Sequence, residues 1–188
     1  MYKRQAYTDL VSSETNDDFV FLSLRRPIAD GVTWERRVVF SMRGYLVVDD
    51  RVTGADGRRV HQLWHLVDDA DPVVTGSTVA TRRASGDLAI LQIGSVDEIA
   101  TLTGSTDPIQ GWLSYRYLER LPSPTFAAVT TESPARFVTV LYPSVDGDVP
   151  EVTGELGASG FDLTIRGDGY AERVTLNGDE ATVTSAGG

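Results

Sequence analysis

Two histidines are the residues of this sequence best suited to hold a metal ion or to act as a general base. His61 and His65 are its only histidines, and they lie four positions apart. On a helix that spacing places both imidazoles on one face, where they can share a metal ion. On a strand it separates them by roughly 13 Å, too far for a shared ion. The strand context favours two half-buried structural imidazoles, with a metal or base role as the alternative. Both histidines are also candidate substrate-binding residues.

Carboxylates are concentrated in two short stretches that could bind Ca²⁺ or supply an acid and a base. These are Asp49-Asp50 and the run Asp68-Asp69-x-Asp71. Neither stretch matches the spacing of an EF-hand loop. Adjacent residues of a strand face opposite ways, so Asp49 and Asp50 are not expected to form a catalytic dyad. Solvated turns or pairing with arginine is the interpretation we favour.

Arginines occur as four adjacent pairs, at 25–26, 36–37, 58–59 and 82–83. Within a strand, each pair sends one guanidinium to each face of the sheet. A row of such groups could bind sugar carboxylates in a bidentate manner, and Arg36 and Arg37 are our candidates for that contact. The alternative is that the arginines pair with some of the 27 acidic residues of the chain.

Aromatic residues could provide a surface on which sugar rings stack. A predicted strand over residues 112–118 carries Trp112, Tyr115 and Tyr117, with the two tyrosines on one face. This group is the candidate glycan-binding patch. Trp34 and Trp64 lie among valines and leucines and are expected in the core.

Composition excludes several classes of function. The chain has no cysteine, which rules out disulfides, thiolate zinc sites and a cysteine nucleophile. It has neither a G-x-S-x-G nor a G-x-G-x-x-G motif, so no serine-hydrolase or nucleotide-cofactor site is indicated. The net charge of −10 disfavours nucleic acid and anionic membranes as partners. Residues 1–5 carry no export signal, and the sequence does not determine the compartment.

Strand signals dominate the chain and predict an all-β fold. Short runs rich in Val, Ile, Thr, Phe and Tyr recur every 8–12 residues or so between turn-forming residues. No segment has sustained helical periodicity. The predicted strands span residues 19–25, 32–42, 45–53, 60–67, 73–82, 88–93, 99–103, 112–118, 125–131, 135–142, 161–166, 171–176 and 181–184.

These strands predict one mainly antiparallel β-sandwich over residues 1–188, with two layers or one strongly bent sheet. Residues 143–150, bracketed by prolines, form a loop or a minor domain boundary. Turn residues at Arg43-Gly44, at 54–57 and at 177–179 predict three pairs of antiparallel neighbours.

Several of these strands also resemble, in order, the strands of a known enzyme family. A basic strand is followed by a Tyr-x-Val-Val-x-Asp strand, an aromatic-His strand and three later motifs, as in the carboxy-terminal β-sandwich of heparinase II/III-like polysaccharide lyases. The matching stretches are residues 34–40, 44–52, 61–66, 111–117, 122–124 and 137–143. The family usually has a histidine shortly before its arginine, where this chain has Trp34-Glu35.

The resemblance implies a role in a larger enzyme. Family members carry an upstream α/α-toroid with catalytic residues and a divalent metal site, and they cleave uronic-acid polysaccharides by β-elimination. None of those motifs is present here, so no catalytic residue or cofactor is assigned. The resemblance implies a non-catalytic sandwich that supports the toroid and the glycan cleft. Relatives are often periplasmic or secreted.

Two other functions remain open, a free-standing carbohydrate-binding or interaction module and a complete uronate lyase. Candidate partners are a uronic-acid polysaccharide and a toroid domain. Because a detached sandwich exposes the sheet face that a toroid would cover, self-association through that face is also expected.

Overall fold

The fold is built from β-strands alone in the part of the chain that the structure describes. A computed structural model describes residues 7–187, so the prediction about an export signal at residues 1–5 lies outside the described residues. Across the described range, no helix has the length and apolar character needed to cross a membrane. The strands are β1 Asp9–Thr15, β2 Phe19–Ala29, β3 Val32–Ser41, β4 Leu46–Thr53, β5 Val60–His65, β6 Val73–Thr75, β7 Thr78–Ala80, β8 Asp87–Ile93, β9 Glu98–Leu102, β10 Ser105–Thr106, β11 Ile109–Gln110, β12 Trp112–Leu113, β13 Leu121–Pro122, β14 Thr125–Thr130, β15 Ala135–Ser144, β16 Glu151–Gly157, β17 Gly160–Gly167, β18 Tyr170–Asn177 and β19 Glu180–Ser185.

The central layer is an antiparallel sheet of eight strands in the order β1-β2-β3-β4-β15-β8-β7-β6. Short turns connect its first four strands. Between β1 and β2, Oδ1 of Asn16 accepts hydrogen bonds from the backbone N–H groups of Asp18 and Phe19, both at 2.9 Å. Between β3 and β4, Gly44 has a φ of 98°, a conformation that favours glycine. The predicted tight link at Arg43-Gly44 is therefore confirmed.

A four-stranded meander, β16-β17-β18-β19, packs on one face of the central sheet. Phe21, Val39 and Val47 of the central sheet share a buried cluster with Leu163 and Val174 of the meander. The loop predicted near residues 143–150 joins β15 to β16 and so links the two layers.

A three-stranded sheet, β5-β14-β9, covers part of the opposite face. Phe126 and Ala128 of β14 form a second buried cluster with Ile90 and Phe137 of the central sheet. The all-β antiparallel sandwich is confirmed, and it has three layers. The third layer is needed because the central sheet buries apolar side chains on both faces. In β15, for example, Phe137 belongs to one buried cluster and Val138 to the other.

The turn at residues 54–57 does not join neighbouring strands, so that prediction is wrong. Strand β4 pairs with β3 and β15, whereas β5 pairs with β14 in the three-stranded sheet. Gly54 has a φ of 75°, and a Cβ there would lie 1.9 Å from the carbonyl oxygen of Gly31. The close approach therefore requires glycine at the point where the chain leaves the central sheet for the next layer. The hairpin predicted at residues 177–179 is confirmed as the β18–β19 turn.

Part of the central sheet bears apolar side chains that neither outer layer buries. Six of them, on β2, β3 and β4, are partly exposed and belong to neither buried cluster. The strand register places them on the face that also bears Asp50. We call this group the apolar stripe: Val20, Leu22, Leu24, Val38, Phe40 and Leu46.

Candidate functional site

Strands β3 and β4 place two arginine–aspartate pairs on opposite faces of the central sheet. Arg36 lies opposite Asp50, and Arg37 lies opposite Asp49, in the antiparallel register. Successive residues of a strand alternate between faces. The predicted division of both adjacent pairs between two faces is therefore confirmed, and Asp49 and Asp50 do not form a dyad.

Asp50 lies beneath the three-stranded sheet and is almost completely buried. Its carboxylate accepts two hydrogen bonds from Arg36, both at 2.7 Å, and one each from Trp34 Nε1 at 3.1 Å and Gln62 Nε2 at 2.8 Å. The guanidinium of Arg36 lies 5.1 Å from the ring centroid of Trp34 and 5.3 Å from that of Trp64. Arg36 is thus held between two indoles and a carboxylate, rather than displayed to a ligand.

Asp49 lies on the opposite face, beneath the meander, and is fully buried. It accepts a hydrogen bond from Arg37 at 2.5 Å and two from Arg136 at 2.9 and 3.0 Å. Arg51 Nε lies 3.7 Å from the same carboxylate. Burial and the two neighbouring guanidiniums lower the pKa of Arg51, while Asp49 opposes them.

The same arginines bind the turns of the meander. Arg37 donates to the carbonyl oxygens of Ser159 and Gly178, both at 2.7 Å. Arg136 donates to those of Gly157 at 2.6 Å and Gly160 at 2.7 Å. Arg37, a predicted substrate contact, is buried in this interface between layers.

Both histidines are exposed on the outer face of the three-stranded sheet, which contradicts the expectation of half-buried imidazoles. They occupy one strand, β5, opposite Val129 and Thr125 of β14. His65 Nδ1 lies 3.0 Å from the hydroxyl of Thr125. Within residues 7–187, no group of three or more His, Asp or Glu side chains is placed to hold a metal ion.

The predicted aromatic patch lies mostly on a loop. Strand β12 covers only Trp112 and Leu113, so the prediction of a strand to residue 118 is wrong. The non-glycine residue Leu118 has a φ of 64°, which is incompatible with an extended strand. Tyr115 is 60% exposed and Tyr117 is 93% exposed. Trp112 is half-buried beneath Arg120, whose guanidinium lies 4.1 Å from the ring centroid.

Charged residues from other elements lie beside this loop. The hydroxyl of Tyr115 donates to Asp68 at 2.8 Å, and this bond raises the pKa of Tyr115. Arg83 donates to Asp69 at 2.8 Å. Arg83 also lines a cavity of about 240 Å³ together with His65. The structure therefore brings Tyr115 and His65 to neighbouring parts of the surface, while Arg37 is buried and Arg36 is partly buried between layers.

Sequence reasoning missed a buried polar group at the mouth between the central sheet and the meander. Glu172 accepts hydrogen bonds from Ser41 at 2.7 Å and from the hydroxyl of Tyr45 at 2.6 Å. Arg136 and Gln62 were missed as well. The contacts that give these residues their roles join positions 12 or more apart, from Gln62–Asp50 to Glu172–Ser41, so a local pattern does not reveal them.

No protein-family model matches the chain. It is similar to the heparin-sulfate lyase of Pedobacter heparinus, with 26% identity over 167 residues that cover 82% of this chain and 25% of the lyase. The chain thus spans about a quarter of the length of this curated relative. The resemblance that the strand motifs predict is confirmed for the β-sandwich region.

Solved structures show the same fold. The heparan sulfate lyase HepC from Pedobacter heparinus matches with a TM-score of 0.76 and 22% identity, over 92% of this chain and 28% of that chain. A heparinase III matches with a TM-score of 0.69 and 13% identity, over 95% of this chain and 27% of that chain.

Proposed function

We propose that this chain acts as the non-catalytic carboxy-terminal β-sandwich part of a heparinase II/III-like polysaccharide lyase. The observation that carries the proposal is the extent of the similarity to the heparin-sulfate lyase. It runs over 82% of this chain but only a quarter of the relative. On this proposal, the substrate is a uronic-acid polysaccharide of the heparan sulfate class.

The polar residues of the matched strands support a non-catalytic role. Arg37 makes a buried ion pair with Asp49, and Arg36 makes a partly buried one with Asp50, so their charges already serve packing between layers. Ions fixed in this way are poorly suited to bind a substrate carboxylate.

The loop between β12 and β13 is the proposed glycan-contacting surface. Tyr117 is almost fully exposed, Tyr115 is fixed by Asp68, and Arg120 lies over Trp112. Exposed aromatic rings beside arginines can stack on a sugar and bind its acidic groups. The same exposure favours the second candidate function, a free-standing carbohydrate-binding module.

The apolar stripe is the proposed support for a toroid domain. It occupies neighbouring positions on three adjacent strands and is only partly exposed. Apolar side chains grouped in this way on a sheet face mark interaction surfaces. A second copy of the chain is the alternative occupant.

One assay separates a complete lyase from the other two functions. The pure chain is incubated with heparan sulfate and other uronic-acid polymers, and the ultraviolet absorbance of an unsaturated uronate product is followed. We expect no product. Accumulating product that a His61→Ala, His65→Ala double variant abolishes would establish a complete lyase and overturn the non-catalytic proposal.

Glycan binding is measured on the same preparations by calorimetry. If the loop contacts glycan, Tyr117→Ala weakens binding of a heparan sulfate oligosaccharide by about tenfold, the equivalent of about 1.4 kcal/mol. Tyr7→Ala, at a tyrosine that is also highly exposed, is the matched control. Equal affinity of both variants would remove the loop from the proposed glycan surface.

A further inference from the structure

A groove at the mouth between the central sheet and the meander lies apart from the predicted site residues. It consists of two adjoining cavities of about 550 and 570 Å³. Arg43, Glu172 and Ser185 line both cavities. The first opens beside Asp18 in the β1–β2 turn, and the second beside Tyr170 of β18. Concave sites with a few convergent polar groups are typical places for small ligands.

The carboxylate of Glu172 is fixed at the base of this groove. Only 13% of its side chain is exposed. Its Oε2 accepts both hydrogen bonds, from Ser41 at 2.7 Å and from Tyr45 at 2.6 Å. Burial and the bond to Glu172 raise the pKa of Tyr45, so its hydroxyl stays protonated and continues to donate even at alkaline pH. The second oxygen, Oε1, is thereby held in one orientation.

Arg43 provides donors next to this acceptor. Its Nε lies 3.6 Å from Oε1 of Glu172, beyond the length of a hydrogen bond, and its side chain is 58% exposed. The guanidinium lies 5.5 Å from the ring centroid of Tyr170. The Tyr170 ring is stacked in turn on Tyr45, with a centroid separation of 6.4 Å and an interplanar angle of 5°. The guanidinium of Arg43 is therefore supported by the stacked rings of Tyr170 and Tyr45, with its N–H groups free of hydrogen bonds to the described part of the chain and so able to bind a ligand.

We propose that this groove binds an uncharged polyhydroxylated ligand, of which a neutral pyranose is the chemical class. A hydroxyl both donates and accepts, so neighbouring hydroxyls of one ring can bind Oε1 of Glu172 and the guanidinium of Arg43 together. The charges of the lining nearly cancel, with Asp17, Asp18 and Glu172 against Arg43 and Arg166. That balance gives no strong attraction for an ion of either sign.

The groove does not rest on the proposed function. It is formed by the β3–β4 turn and the strands β18 and β19, whereas the proposed glycan-contacting loop lies between β12 and β13. The two sites also select different sugars, because the loop would take an acidic glycan and the groove a neutral one. Failure of one proposal therefore leaves the other intact.

The test is a titration of the ¹⁵N-labelled full chain with cellobiose, maltose and, as the acidic comparator, glucuronate. We expect saturable amide shifts with cellobiose or maltose at residues 41–45 and 170–173, with millimolar affinity. Arg43→Ala weakens that binding at least tenfold. Arg58→Ala removes an exposed arginine from the β4–β5 turn and leaves it unchanged.

Glu172→Gln is the second variant, because it keeps an oxygen for Ser41 and Tyr45 while removing the charge. A folded Glu172→Gln chain should also lose at least a few-fold in affinity for the neutral sugar. The proposal is overturned if neither neutral sugar gives saturable shifts at the groove, if Arg43→Ala binds as well as the unmodified chain, or if glucuronate binds there more tightly than cellobiose.

Discussion

Three arginines surround the single carboxylate of Asp49, which can neutralise only one positive charge. Arg37 and Arg136 donate hydrogen bonds to it, and Arg51 lies within ion-pair distance. The first two arginines also bind backbone carbonyls of the meander. Nε and Nη2 of Arg51 are buried and find no acceptor among the described residues. Replacing each of the three arginines should therefore change the free energy of unfolding by a different amount.

Arg136→Met and Arg51→Met form a matched pair that tests this difference. Arg136→Met should lower the free energy of unfolding by about 2 kcal/mol, because it removes two hydrogen bonds to the buried Asp49 carboxylate and one to the partly buried Gly160 carbonyl. Arg51→Met should change it by less than about 1 kcal/mol and in the stabilising direction, because it removes a poorly partnered buried charge. Urea unfolding measures both, and equal losses would contradict the assignment.

Tyr45 predicts how stability responds to alkaline pH. Its pKa is raised in the folded chain, so folding favours the protonated hydroxyl. The stability this contributes is fully present below the unfolded pKa of about 10 and is lost as pH rises above it, by at most about 1.4 kcal/mol per pH unit. Tyr45→Phe should make that decline shallower between about pH 9 and 11. An unchanged slope in urea unfolding would contradict this prediction.

At the scale of elements, alternation in the sequence is sufficient to predict strands but not their partners. The faces of Arg36 and Arg37 follow from the period of two within β3. The departure of β5 from the central sheet does not, because it depends on pairing with β14, which lies some 60 positions later in the chain. The candidate site likewise has one part that the sequence predicts and one part that it does not. Exposure of Tyr117 was predictable, whereas the Glu172 groove joins residues more than a hundred positions apart.

Gly160 tests how tightly the meander strands approach each other. A Cβ at this position would lie 1.6 Å from the carbonyl oxygen of Leu176 in the neighbouring strand. Gly160→Ala should therefore push β17 away from β18 and lower the free energy of unfolding by about 2–3 kcal/mol. Gly187→Ala meets open space and serves as the control. A thermal midpoint equal to that of the control would show that the strands can separate without cost.

For the whole molecule, the three layers are unequal in extent. The meander buries one face of β2, β3 and β4 through residues such as Phe21 and Val39. The three-stranded sheet covers the other face only in part and leaves the apolar stripe partly exposed. An apolar face of this kind on an isolated chain favours association.

Self-association should depend on the stripe. Light scattering of the pure chain should give a mass above 20.4 kDa, and an apolar dye should bind. The Leu22→Thr, Phe40→Thr double variant introduces β-branched residues with high strand propensity and should lower both signals. Ile109→Thr, at an exposed isoleucine outside the stripe, should not. A monomeric mass with no dye binding by the unmodified chain would refute association through this face.

The two ion pairs of β3 and β4 also protect the chain against misalignment. A one-residue slip in one direction would keep only Arg37 with Asp50 and would bring Arg36 opposite Arg51. A slip in the other direction would keep only Arg36 with Asp49 and would bring Glu35 opposite Asp50. Because either error creates a like-charge pair and breaks an ion pair, the six charges at residues 35–37 and 49–51 encode a single correct pairing of these strands, which a purely apolar pattern of valines would not.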